Sequence, residues 1–232
     1  SSFRLDICGD LDSGDVDGNG ELDWICFYEY PDGHTATFVQ LAQGGSYSSW
    51  RRWSPSAMAG AFQRSRCHYF HVVDVDGDGL ADRLCMYQNG AESGILVQTD
   101  GPATTGLQFG DWESWFVWSG DVLKCRDFDG AVPEVIDVNG DGLSDILCAY
   151  RYSANFMLTW IQPSSGSDYG PWAGWSPALD FDLALCDAFM AADVNRDQHT
   201  DLICAYRFPD GSTATFVQRV ELYRAALPIV IR

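Results

Sequence analysis

DVDGNGELD (15–23), DVDGDGLAD (74–82), DVNGDGLSD (137–145) and DVNRDQHTD (193–201) are four versions of one acidic segment, starting 59, 63 and 56 residues apart. A period of this length marks a repeat architecture, in which each unit buries its apolar face against its neighbours. Oxygen-bearing side chains stand at positions 1, 3, 5 and 9 of every segment. Carboxylates at alternate positions are the ligand pattern of a hard cation, which takes about six to eight oxygens in irregular geometry. The expected ion is Ca²⁺, three to four per chain.

The ligand sets follow from the alignment of the four segments. Loop 1 offers Asp15, Asp17, Asn19, Glu21 and Asp23, and loop 2 offers Asp74, Asp76, Asp78, Leu80 and Asp82. Loop 3 offers Asp137, Asn139, Asp141, Leu143 and Asp145. Loop 4 offers Asp193, Asn195, Asp197, His199 and Asp201. Position 7 would give its backbone carbonyl, as Leu80 does in loop 2, and position 9 would close the site. Glycines at positions 4 and 6 admit the positive φ of a sharp turn. Loop 4 carries Arg196 and Gln198 there instead, so it is the weakest binder of the four. The spacing starts like an EF-hand but lacks its twelfth-position Glu and flanking helices. The role expected for these ions is structural, because crowded carboxylates repel one another and metal binding becomes folding free energy.

The cysteines keep the same period. Cys26, Cys85, Cys148 and Cys204 each fall 11 residues after the first Asp of a loop; Cys8, Cys67 and Cys186 fall 7 residues before it, and Cys125 falls 12 before. Eight cysteines do not fix their own connectivity. A repeated unit bridges most simply within itself, giving Cys8–Cys26, Cys67–Cys85, Cys125–Cys148 and Cys186–Cys204. Disulfides point to an oxidising space and hence to a secreted, extracellular chain. Hairpin counting does not set the two cysteines opposite each other, so a bulge or offset is expected.

Segments such as YFHVVDV, DRLCMY, GILVQT and ESWFVWS are short and rich in β-branched and aromatic residues, with turn formers between them. No segment sustains a helical apolar period. Each unit holds about four strands, the content of one propeller blade. The expected fold is all-β: one repeat domain, a β-propeller of four blades of roughly 58 residues, with the loop between strands one and two. The blade boundaries fall near 1–59, 60–119, 120–178 and 179–232.

Composition narrows the partners. The chain has 232 residues and a net charge of −19, which disfavours nucleic acid and anionic membrane surfaces, both of which need a basic face. Fourteen of the 33 acidic residues lie in the four loops. No apolar run is long enough for a transmembrane helix, so no membrane insertion is expected.

Acidic loops of this kind between apolar strands, at a period near sixty, resemble the FG-GAP or VCBS-type calcium-binding repeats. That resemblance implies a propeller of the sort found in integrin α heads and in secreted lectins. The chain departs from it in having four units where the family has more, and in carrying a regular cysteine pair per blade. Four units either close alone or form an open arc that pairs with another chain as a homo-oligomer.

Other residues recur with the loop. Tyr28, Tyr87, Tyr150 and Tyr206 follow the second cysteine by two residues, and Gln40, Gln98, Gln162 and Gln218 follow later. W-x-x-W-S pairs come next: Trp50/Trp53, Trp115/Trp118 and Trp172/Trp175. Aromatic faces with a few amides are the usual lining of a small-ligand site. The first expectation is therefore a lectin with repeated, multivalent glycan sites, in which Trp50, Trp115 and Trp172 face outward. Inter-blade packing is the competing role for the same rings. A cell-adhesion or protein-interaction module is the first alternative. An enzyme on the same scaffold is the second, with the unique segment 127–134 as its place. None of His34, His68, His71 and His199 recurs in the repeat, and no catalytic motif appears.

Overall fold

A computed structural model describes residues 3–54, 66–89, 92–99, 109–119, 133–153, 156–176, 185–197 and 199–219. Cys125, residues 127–132 of the unique segment, Gln198 and the stretch after Arg219 lie outside them, as do the side chains of Trp118 and Tyr150. The chain is all-β, built of four blade-type antiparallel sheets, with one 3₁₀ turn among the described residues, at Leu5–Ile7. It forms two compact units, Ser1–Asp121 and Val122–Arg232.

The first unit holds blades 1 and 2. Blade 1 pairs β1 (Cys8–Gly14), β2 (Asp23–Glu29), β3 (Thr35–Gln40) and β6 (Arg51–Arg52) in that order. A small hairpin, β4 (Ala42–Gln43) with β5 (Ser46–Tyr47), sits between its third and fourth strands. Blade 2 is β7 (Cys67–Val73), β8 (Asp82–Asn89), β9 (Glu92–Gln98) and β10 (Glu113–Ser119). The second unit holds blades 3 and 4. Blade 3 is β11 (Glu134–Ile136), β12 (Asp145–Ser153), β13 (Phe156–Gln162) and β14 (Ala173–Ser176). Blade 4 has three described strands, β15 (Cys186–Ala192), β16 (Asp201–Arg207) and β17 (Thr213–Gln218). Every second strand starts on the ninth loop residue, as its sequence position implies.

Three of the expected disulfides are present: Cys8–Cys26, Cys67–Cys85 and Cys186–Cys204, with Cα–Cα distances of 5.7, 5.6 and 5.5 Å. Their register shows why simple counting fails. Cys8 pairs with Tyr28 and Leu11 with Cys26, with a bulge between Cys8 and Asp10. The same shift recurs between Cys67 and Tyr69 and between Cys186 and Ala188. The bulge brings the first cysteine back toward the second. Cys148 is also disulfide-bonded; its expected partner, Cys125, lies outside the described residues.

Within each unit the blades stack by the same contacts. Val16, Ile25, Val39 and Trp53 of blade 1 pack with Ala81 and Phe109 of blade 2. In blades 3 and 4, Val138, Leu147 and Ala149 pack with Leu202 and Cys204, with Phe189 beside them. The loops interlock too. The Ala81 N–H donates to the Asp15 carbonyl at 2.8 Å, and the Thr200 hydroxyl donates to the Asp137 carbonyl at 2.8 Å. Position 8 of one loop thus grips position 1 of the loop before it.

Blade 1 closes on blade 2 over Gly14, where an added Cβ would lie 2.7 Å from both Ala81 Cβ and Val72 Cγ1. Gly14→Ala should therefore lower stability by about 1–3 kcal/mol through overpacking. Gly174→Ala, where an added Cβ meets nothing within 4 Å, should change it by less than about 0.5 kcal/mol. Urea unfolding of both variants checks this; equal midpoints would contradict it.

Candidate metal loops and the aromatic column

The first Asp of each loop folds the turn. Asp15 Oδ1 accepts from the N–H of Gly18 at 2.8 Å and Oδ2 from that of Gly20 at 2.8 Å. Asp74 and Asp137 make the same pair of bonds to Gly77 and Gly79, and to Gly140 and Gly142. Those glycines have φ between 74° and 89°. Positions 3 and 5 each accept the N–H two residues on, as Asp76 does from Asp78 and Asp78 from Leu80. These Asx-type bonds turn the carboxylates inward.

The ninth-position Asp has a larger part than closing the site. Asp23, Asp82, Asp145 and Asp201 are each 0% exposed. Each accepts from the position 2 N–H, at 3.0 Å from Val16 and Val75 and 3.3 Å from Val138 and Val194. In two blades the second oxygen accepts from the segment after strand three: Asp23 from Ala42 at 2.7 Å, Asp145 from Ser164 at 2.8 Å. Loop 1 is held from the same side by Asn19, which donates to the Ala42 carbonyl, and by Glu21, whose carboxylate accepts from Gly44. Burial raises the pKa of Asp23 and Asp76 and pushes Asp145 up to about 6, with the neighbouring loop carboxylates adding to it.

These residues fit a divalent cation. Carboxylate oxygens of Asp15, Asp17 and Asp23 lie within 4.8 Å of one another, as do those of Asp74, Asp76 and Asp78. Carboxylates gathered so closely around a turned backbone offer the oxygen ligands that a hard cation takes. Loop 4 differs as its sequence implies. Arg196 holds φ at 63°, the only positive φ at a non-glycine among the described residues. The Asn195 amide donates to Asp197 at 2.8 Å, placing a neutral donor against a loop carboxylate.

The aromatic column needs a corrected register. Phe38 pairs with Arg52, Leu96 with Ser114 and Trp160 with Gly174. Arg52, Ser114 and Gly174 are therefore equivalent, and the pair in blade 2 is Trp112/Trp115, in place of Trp115/Trp118. The β9–β10 connection is longer than its counterparts, which hides the match in the sequence. The second Trp of each pair faces inward: Trp53 and Trp115 are each 6% exposed, and Trp175 packs on the blade 3/4 core. The expected outward Trp115 is thus a core residue. The first Trp of each pair, Trp50, Trp112 or Trp172, is half-buried, and Trp50 stacks on Phe3 at 4.2 Å.

Tyr28 is also core, 4% exposed, among Phe3, Tyr30 and Phe38. Tyr87 packs on the blade 1/2 core, and Tyr206 meets Phe208 and Phe216 edge-on. Gln40 donates to the Ser48 carbonyl and Gln98 to the Gly110 carbonyl, so these amides tie strand three to the segment that follows it. Gln162 is fully buried and Gln218 half-buried.

Sequence reasoning missed Arg83. Its equivalents are Trp24, Ile146 and Leu202, each opposite its blade's Gln. Arg83 is 1% exposed and donates to Gln98 Oε1 at 2.8 Å. Its guanidinium lies 4.8–5.8 Å from the ring centres of Phe27, Phe70, Phe109 and Trp112. Burial lowers its pKa to about 9. A cation caged by rings from both blades holds blade 1 to blade 2. A charged residue in an alternating strand reads as solvent-facing, so no pattern in the sequence marks it.

Residues 137–204 match the family model of an FG-GAP-like repeat. A search of curated proteins finds no match. The matched segment runs from the first Asp of loop 3 to the second cysteine of blade 4 and so includes both loops of the second unit.

Arg196→Gly should stabilise the chain by about 1 kcal/mol, by relieving a left-handed backbone at a residue with a Cβ. Thermal unfolding checks this; a lower midpoint would contradict it. The chain resembles FG-GAP-type propeller repeats over the matched segment, and its first two loops repeat that pattern.

Proposed function

We propose that this chain is an extracellular interaction module whose blades are fastened by Ca²⁺, three to four ions per chain. The observation that carries the reading is the recurrence of one preturned acidic loop on each of four blade sheets. An FG-GAP-like propeller of this kind suits adhesion and protein interaction. Three disulfides among the described residues accord with secretion. No helix among the described residues is long and apolar enough to cross a membrane.

Carbohydrate binding is the finer reading, and one observation favours it. The first Trp of each W-x-x-W pair is half-buried; Trp50 stacks on Phe3 and Trp112 lies over Arg83, so Trp172 is the indole best placed to stack on a sugar ring. The repeated Tyr and Gln are better assigned to packing and strand closure, because Tyr28, Gln98 and Gln162 are all buried.

The chain should be displayed against immobilised glycans and extracellular protein domains, in calcium and again after EDTA. The reading expects a ligand in one of these classes, lost on chelation. If the ligand is a glycan, Trp172→Ala weakens it about tenfold or more, the loss of a stacked ring being worth at least about 1.4 kcal/mol. Protein ligands alone would retain the module and remove the glycan reading. Absence of any ligand in calcium, or a ligand indifferent to EDTA, would overturn the function proposed.

A further inference from the structure

The β4–β5 hairpin of blade 1 cannot hold its own shape. Its strands have two residues each, Ala42–Gln43 and Ser46–Tyr47, joined by Gly44 and Gly45 at φ 58° and 84°. Two central residues with positive φ suit the twist of a tight hairpin. A lone two-stranded hairpin is at best marginally stable in water. The base of this one is closed from within: the Ser48 N–H donates to the Leu41 carbonyl at 2.8 Å, and the Leu41 N–H to the Ser48 hydroxyl at 2.9 Å. Its tip rests on loop 1.

Three loop side chains hold the tip. Asp23 accepts from the Ala42 N–H at 2.7 Å, the Asn19 amide donates to the Ala42 carbonyl at 3.0 Å, and the Glu21 carboxylate accepts from the Gly44 N–H at 2.7 Å. Both backbone groups of Ala42 therefore bond to loop 1. Two of these side chains belong to the candidate ion site. Asp23 lies in the carboxylate cluster with Asp15 and Asp17. Asn19 stands at position 5, and its Oδ1 accepts from the Glu21 N–H at 2.7 Å. Glu21 differs: position 7 would give an ion its backbone carbonyl, which leaves the carboxylate for Gly44.

Blade 3 fastens the same segment in another way. Its Ser164 N–H also donates to the ninth-position Asp, and Ser164 pairs with Tyr169 as Ala42 pairs with Tyr47. Position 5 is Asp141, which has no donor, and position 7 is Leu143. The tie there is Tyr169, 2% exposed, whose hydroxyl donates to the Ser144 carbonyl at 3.0 Å. Tyr47 is 52% exposed. Blade 1 thus replaces a buried ring with two side chains of its acidic loop.

We infer that Glu21 and Asn19 make the tip of the β4–β5 hairpin the part of blade 1 that calcium orders, so that Tyr47 is held in a fixed place only while loop 1 is filled. The inference rests on the reading above that the loops take Ca²⁺. With no cation, the carboxylates of Asp15, Asp17 and Asp23 repel one another at close range, and the loop that carries the tip loosens. The base, held by Leu41 and Ser48, stays closed. Glu21 is a positioning residue: it passes the state of the loop to Gly44 through a side chain that does not join the carboxylate cluster.

Amide exchange in the full chain, read residue by residue by NMR in calcium and after EDTA, tests this, with bound ions counted by calorimetry. In the wild type, EDTA should speed exchange at Ala42 and Gly44 about tenfold or more, the scale of one hydrogen bond to a charged group, and leave Ser48 unchanged. In calcium, Glu21→Ala should free the Gly44 amide to a similar extent, bind as many ions as the wild type and keep its near-ultraviolet circular dichroism. The wild-type comparison stands whether or not this variant folds. Bound calcium with Ala42 and Gly44 indifferent to EDTA, or with Ser48 loosened as much as they are, would overturn the inference and leave the calcium reading standing. A folded Glu21→Ala chain that still protects Gly44, or that binds one ion fewer, would also overturn it. Absence of bound calcium would overturn the calcium reading and the inference together.

Discussion

Each blade hangs on one buried carboxylate. The ninth-position Asp reaches back to the N–H at position 2 of its own loop and, in blades 1 and 3, across to the segment behind strand three. A buried charge in this setting is costly unless bonded or paired. Backbone donors meet part of that need, and the exposed carboxylates at positions 1, 3 and 5 crowd the same turn. A divalent cation would offset the repulsion among these carboxylates. The loop is therefore both the start of strand two and the anchor for the chain returning from strand three. The disulfide beside it constrains the same two strands by a second route. A closed loop of this length contributes on the order of 3 kcal/mol.

The blade interfaces extend this logic. Position 8 of one loop meets position 1 of the preceding one, so the turn that would hold an ion also sets the spacing between blades. Small residues keep that approach close: Gly14 faces Ala81 and Val72. The seam also takes charged groups: the Asp12 carboxylate accepts from the Val72 N–H at 3.1 Å, and Arg83 lies within it. Its cage of four rings and its bond to Gln98 offset much of the cost of burial, and blade 4 fills the equivalent place with Leu202. The same seam can accept a cation or a leucine because its shape, set by the strands, is common to both.

Much of this was legible in the sequence because it repeats. Loop spacing gave the blade count, the cysteine offsets gave three bridges that the structure describes, and Asp at position 9 marked the start of every second strand. Features that depend on strand register were not legible. The longer β9–β10 connection concealed Trp112 as the partner of Trp50 and Trp172. A bulge between Ser114 and Phe116 turns Trp115 inward. The glutamines looked like ligand-binding amides, yet Gln40 and Gln98 bond to backbone carbonyls that come close only once the sheet has folded. The partners of the first Trp in two pairs, Phe3 on Trp50 and Arg83 under Trp112, are likewise set by packing that no spacing in the sequence shows.

The central claim is that these loops are cation sites whose occupancy holds the blades together. Calorimetric titration of Ca²⁺ into the chelator-treated chain, with thermal unfolding before and after, tests it most directly. The account predicts three to four bound ions and a higher unfolding midpoint when calcium is in excess. At a hundredfold excess over the dissociation constant, each site should add about 2.7 kcal/mol. Fewer than three ions per chain, or a midpoint indifferent to chelation, would contradict it.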